Sequence, residues 1–150
     1  MHIHIIGIAG SMTAPLAIAL KKQGHFVTGS DQLKIYPPFS TQLKKAKIPL
    51  NQTPINKNID LAIIGSSYLA FSHPKEEFEQ IKAQKIPFIS ATNYISQFLV
   101  KKNSILVAGS YGKTTISAAL SYLLVKAKFN PSFMFGGQSL NHLGSLYFSN

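Results

Sequence analysis

The sequence predicts an α/β fold, a mostly parallel sheet with helices on its faces, after which a second strand, loop, helix and strand pattern begins. Three observations carry this. Short β-branched apolar runs such as "MHIHIIGIAG" and "IDLAIIGSS" stop at small residues, as buried parallel strands do where they enter tight turns. Amphipathic segments of helical period separate these runs by about the length of a crossover. After a short polar stretch, "KKNSIL" at 101–106, the alternation starts again.

Taken in order, Ile3, Ile5, Ile6 and Ile8 form the first strand. From Met12 to Lys22 the apolar residues Met12, Leu16, Ala19 and Leu20 recur at helical spacing, and Pro15 is tolerable because it falls in the first turn. "HFVTGSD" is a second strand ending at Gly29-Ser30-Asp31. Tyr36-Pro37-Pro38 cannot be helical, so Ser40 is the expected N-cap of a short helix. "IDLAIIGSS" is the third strand, "SHPKEEFEQIKAQ" a helix with Ser72 as its expected cap, "IPFIS" a strand and "TNYISQFLV" a helix. Ile105–Ala108 is expected to be a strand, and the helix after it carries an apolar stripe of Ile116, Ala119, Leu120, Leu123, Leu124 and Ala127.

Composition narrows the chemistry. At 150 residues the chain suits one domain, or a small one and part of another. No apolar run approaches the ~18 residues of a membrane span. The start lacks the basic region and cleavage site of a secretory leader, so a cytoplasmic location is the expectation. With no cysteine there are no disulfides, thiolate metal sites or thiol nucleophiles. The five histidines are scattered rather than set at metal-ligand spacing, so any metal is expected to arrive with a nucleotide. The net charge of +10 comes from lysines alone; no arginine is present for bidentate base reading, and no aromatic–basic interleaving suggests RNA. A nucleic-acid partner is therefore not expected.

Two glycine-rich turns carry the functional signal. In "GIAGSMTAP" a strand passes through Gly7, Ala9 and Gly10 into a helix, an arrangement that offers backbone amides to a phosphate. The dinucleotide fingerprint is poorly matched, since Ala9 and Met12 stand where its second and third glycines belong. Such turns equally serve to pack a helix on a strand. Asp31 has two open readings, an acceptor for a ribose hydroxyl or an ordinary loop carboxylate or cap. By the rule for such sheets, Gly7–Thr13, Gly29–Asp31 and Gly65–Ser67 converge on one crevice at the strands' carboxyl ends. In "VAGSYGKTTISAAL" the loop Gly109-Ser110-Tyr111-Gly112 leads into Lys113-Thr114-Thr115 at a helix start. In such a loop Gly112 lets backbone amides face a β-phosphate, Lys113 is expected to reach β and γ oxygens, and the Thr114 hydroxyl can ligate Mg²⁺. Val107 stands where the usual phosphate loop begins with glycine.

The form Ala-Gly-x-x-Gly-Lys-Thr-Thr, placed about a hundred residues after a Gly-rich first strand and followed by a Gly-Gly pair, resembles the Mur ligases of peptidoglycan synthesis, whose loop departs from the common cradle in the same way. The segments "MHIHIIGIAGSM", "VTGSD", "IYPPFSTQL" and "FMFGGQSLN" are similar to the branch that joins a salvaged murein peptide to UDP-N-acetylmuramate, with the L-alanine-adding branch, or a non-catalytic UDP-sugar-binding module, as the alternatives. The resemblance implies a Rossmann-like UDP-sugar-binding domain over residues 1–101 and the incomplete start of a P-loop central ATP-binding domain over 102–150. It further implies ATP and Mg²⁺ as cofactors and an acyl phosphate intermediate attacked by the incoming amine. Lys113 would stabilise the transferring phosphoryl group, and Gly7, Ala9, Gly10, Ser11 and Met12 would line the UDP pyrophosphate. Ser30 and Asp31 would lie near the nucleoside, with Ser66 and Ser67 bordering the crevice. Ser110 and Tyr111 depart from the family, which usually has Thr followed by His or Asn. The chain alone is expected to be catalytically incomplete, with self-association as one way to cover the apolar stripe.

Overall fold

The computed structural model describes residues 1–32, 35–50, 58–66, 72–137 and 144–149. It forms two compact units, Met1–Tyr94 and Ile95–Asn150. The first contains β1 (His2–Ile6), α1 (Thr13–Lys22), β2 (Phe26–Ser30), α2 (Phe39–Lys45), β3 (Leu61–Ile64), α3 (Ser72–Ala83), β4 (Phe88–Ser90) and the start of α4 (Ala91–Phe98). The second contains α5 (Lys113–Lys126), β5 (Phe133–Met134) and β6 (Leu146–Tyr147).

In the first unit the strands lie in the order β2-β1-β3-β4, and every pair is parallel. The chain crosses from β1 to β2 in one direction and from β3 to β4 in the other. Right-handed crossovers therefore put α1 and α3 on opposite faces, and the strand order switches between β1 and β3. The alternation of β1 divides its residues between those faces. Ile3 and Ile5 pair with Val27 and Gly29 on one face, while His4 and Ile6 pair with Thr28 and Ser30 on the other. On the α3 side Ile6, Ala62 and Ile64 pack with Ile59, Ile81 and Ile86 in a core flanked by Phe78. Residues buried on both faces explain why these strands read as continuous apolar runs.

Three local expectations need correction. Ser40 lies inside α2 and does not cap it; the helix opens after Pro38, whose φ of −84° is already helical, and the Ser40 N–H bonds to Tyr36 O. Ser72 is the first residue of α3. Ile105–Ala108 is not a strand: no ladder partner reaches it among the described residues, and Ile105 and Leu106 are 72% and 90% exposed. An apolar run becomes a strand only beside another, and in a parallel sheet that neighbour must come from elsewhere in the chain.

The second unit is thinly packed. The apolar residues of α5 surround the helix rather than forming one stripe. Ile116 and Leu123 are exposed, and Ser121, whose hydroxyl donates to Ser117 O at 2.7 Å, is its buried position. β5 and β6 pair antiparallel, and Phe133 stacks against Phe135 and tilts on Tyr147. Among the described residues, no helix is long and apolar enough to cross a membrane.

Candidate functional site

The carboxyl ends of β1, β2 and β3 meet at the Gly7–Thr13 turn. Ser30 O accepts the N–H groups of both Gly7 (2.8 Å) and Ile8 (3.0 Å), joining the turn to the tip of β2. Asp31, 6% exposed, accepts the Ala9 N–H at 2.7 Å and the Gln32 N–H at 2.8 Å. The Thr13 hydroxyl donates to Gly7 O at 2.6 Å and accepts the Gly10 N–H at 3.1 Å. From the other side the Gly65 N–H donates to Ile6 O at 2.8 Å, which places Ser66 beside the turn. The structure thus brings together Gly7, Ala9, Gly10, Ser11, Met12, Ser30, Asp31 and Ser66; Ser67 lies outside the described residues.

These bonds divide the turn into two parts. The amides of Gly7, Ile8, Ala9 and Gly10 are all committed internally. Those of Ser11 and Met12 have no partner among the described residues, and Ser11 is exposed. They stand at the start of α1, where the helix dipole and unpaired N–H groups favour an anion. Sequence alone marked Gly7, Ala9, Gly10, Ser11 and Met12 alike. It also left Asp31 open, and the structure shows it clamping the backbone.

Beside this turn lies a recess of about 240 Å³, lined by Met12, Ser66, Phe78, Phe88, Ser90 and Thr92 among others. Phe78 and Phe88 meet edge to face at 5.1 Å and form its aromatic wall. Sequence reasoning missed these two residues. The signal was only an aromatic in α3 and another in β4, and it takes the fold to bring the two rings together.

The second glycine-rich turn is exposed from Gly109 to Thr115. Gly112 caps α5 with φ at +75°, a left-handed conformation that glycine adopts without a Cβ penalty. The Lys113 ammonium donates to Gly109 O at 2.7 Å and Ser110 O at 3.3 Å, so it closes on its own loop. A Cβ on Gly136 or Gly137 would stand 4.0 Å or 3.0 Å from the Thr114 side chain. The Gly-Gly pair therefore lies beside the Thr114 side chain, with Gly137 against its methyl group and Gly136 nearer its hydroxyl.

The first unit is a parallel α/β sheet with a helix start at its switch point, and a Gly-Lys-Thr loop follows along the chain. A family profile described as "Mur ligase family, catalytic domain" matches residues 2–103, and the chain belongs to that family. It is 35% identical, over 96% of its length, to the UDP-N-acetylmuramate–L-alanyl-gamma-D-glutamyl-meso-2,6-diaminoheptandioate ligase of Escherichia coli (strain K12), of which it covers 33%. It is 32% identical over 91% of its length to the UDP-N-acetylmuramate–L-alanine ligase of Dictyoglomus turgidum, covering 29% of that protein. Among solved structures, a murein peptide ligase from Psychrobacter arcticus 273-4 superposes with a TM-score of 0.81 at 30% identity, matching 100% of this chain and 34% of the other. The corresponding ligase from Neisseria meningitides gives 0.80 at 32% identity, over 98% of this chain and 46% of that one. The chain spans about a third of the length of the curated relatives it matches.

Proposed function

We propose that this chain supplies the UDP-sugar site and the phosphate loop of an ATP-dependent ligase that joins a murein peptide to UDP-N-acetylmuramate in peptidoglycan recycling, in the cytoplasm, through an acyl phosphate. Residues 1–101 form the UDP-sugar domain and 102–150 begin the ATP domain. The observation that carries this reading is the Gly7–Thr13 turn, which is hydrogen-bonded to Ser30 and Asp31 and leaves the Ser11 and Met12 amides without partners among the described residues. The 35% identity to the Escherichia coli peptide ligase supports it.

In this reading the pyrophosphate binds the Ser11 and Met12 amides, on a frame made by Gly7, Ala9 and Gly10. Ser30 and Asp31 hold that frame at the nucleoside side, and Ser66 and Ser67 border the crevice. At the second turn, Lys113 leaves the Gly109 and Ser110 carbonyls to bind the phosphoryl oxygens of ATP, with the backbone from Gly109 to Thr115 around them. The Thr114 hydroxyl, exposed at the start of α5, would hold a Mg²⁺ carried in with the nucleotide, and the ion would neutralise phosphate charge. Binding of both nucleotides is assigned to these residues, and the complete ligation to a chain of the relatives' length.

A second reading, ligation of L-alanine to the same UDP-sugar, draws on the 32% identity to the Dictyoglomus turgidum enzyme. Calorimetry with UDP-N-acetylmuramate tests what the two share: saturable heat is expected, and a folded sample giving none at millimolar ligand overturns both. Incorporation of tripeptide against L-alanine in a chain of the relatives' length then separates them. We further propose that copies of the chain associate through α5, whose Ile116 and Leu123 are 55% and 62% exposed.

A further inference from the structure

On the α3 face of the sheet a polar chain is buried in apolar surroundings. His4, Thr28, Ser30 and Glu77 are each at most 2% exposed. His4 and Ser30 belong to β1 and β2, and Glu77 reaches them from α3. Buried polar groups are tolerated only when they are hydrogen-bonded, and here the bonds form one line. The Ser30 hydroxyl donates to Glu77 Oε2. Glu77 Oε1 lies 3.2 Å from His4 Nε2, and His4 Nδ1 lies 2.8 Å from Thr28 Oγ1. Thr28 Oγ1 is also 2.9 Å from His2 Nε2, whose ring ends at Asn58 O, 3.2 Å from Nδ1.

Counting protons along this line fixes the roles. Asn58 O can only accept, so His2 Nδ1 carries hydrogen. Burial disfavours the charged His2 ring, so Nε2 is bare and accepts the Thr28 hydroxyl. Thr28 must then accept from His4 Nδ1–H. One proton remains between His4 Nε2 and Glu77 Oε1, and every group is satisfied whichever of the two holds it.

The far end of this line is the phosphate turn. The residue whose hydroxyl is fixed by Glu77 is the one whose carbonyl accepts the Gly7 and Ile8 amides, and the next residue, Asp31, accepts that of Ala9. We propose that Glu77 is a positioning residue for the UDP-sugar site: it sets the tip of β2 through Ser30 and so fixes the turn that presents the Ser11 and Met12 amides. The proposal rests on the UDP-sugar reading for its ligand, and on the hydrogen bonds alone for the relay.

The proton count makes a side-chain amide the proper replacement for Glu77. A glutamine donates N–H to His4 Nε2 and accepts from Ser30, which completes the line, whereas leucine leaves both unpaired. Ser30→Ala cuts only the link to the turn. Amide hydrogen exchange on the 150-residue chain and calorimetry with UDP and with uridine test this together. Glu77→Leu and Ser30→Ala are expected to speed exchange at Gly7, Ile8 and Ala9 about tenfold, leaving the β1–β3 ladder protected, and to weaken UDP about tenfold with uridine unchanged. Glu77→Gln is expected to match the wild type in both. If Glu77→Leu does not fold, Ser30→Ala decides. Unchanged exchange at the turn, equal weakening of UDP and uridine, or a Gln variant behaving like Leu overturns the relay. A wild type that binds no UDP instead overturns the functional reading, and the exchange data still decide the relay.

Discussion

Both oxygens of Asp31 accept backbone N–H groups, from Ala9 and Gln32. Replacing Asp31 with Ala leaves the Ala9 amide without its acceptor, at a cost of about 1–3 kcal/mol; Asp31→Asn keeps an oxygen there and should lose less. Urea unfolding of the two variants checks the order. His2 gives the residue-scale pH dependence. Its pKa is lowered from 6.5, first by burial, with the nearby His4 adding to the effect against the Asn58 carbonyl and Asp60. The folded state therefore takes up this proton later than the unfolded state does, and its contribution to stability falls as pH drops below about 6.5. A His2→Asn variant should show a shallower loss of stability between pH 7 and the folded-state pKa, read from denaturation midpoints across pH. None of these partners could be named from sequence, because Asp31 and Ala9 are brought together only by the fold.

At the scale of elements, the strand ends were legible where each stopped at small residues. Gly29 shows the physical reason. A Cβ there would fall 2.3 Å from Ile8 Cδ1 and 2.7 Å from Ile5 O, so β2 can lie against β1 and its following turn only with glycine at that place. Gly29→Ala is expected to destabilise the chain by about 1–3 kcal/mol, measured by thermal unfolding. The helix start at Lys113 was equally legible from Gly112 and the Gly-Lys-Thr order. Replacing Lys113 with Ala is expected to reduce ligation by about 10²-fold or more in a chain of the relatives' length, assayed by ADP release. The strand expected at Ile105–Ala108 illustrates the limit. Its residues have the right composition, but a strand is a relation between two segments, and composition supplies one of them.

For the whole molecule, the exposed apolar surface of α5 predicts association between copies. Light scattering should show an average mass that rises with concentration, and Leu123→Glu, on an exposed position, should return it to the monomer without unfolding the first unit. A strict monomer at millimolar concentration would end that idea. The sequence by itself determined the parallel α/β class, the two glycine-rich turns and the family, because period, β-branching and small-residue strand ends are local properties written along the chain. Only the tertiary structure decided which amides of the first turn lack partners among the described residues, that Asp31 clamps the turn, and that Glu77, 47 residues from Ser30, accepts its hydroxyl. Those depend on which buried polar groups meet across strands and helices, and burial forces each to find its partner there.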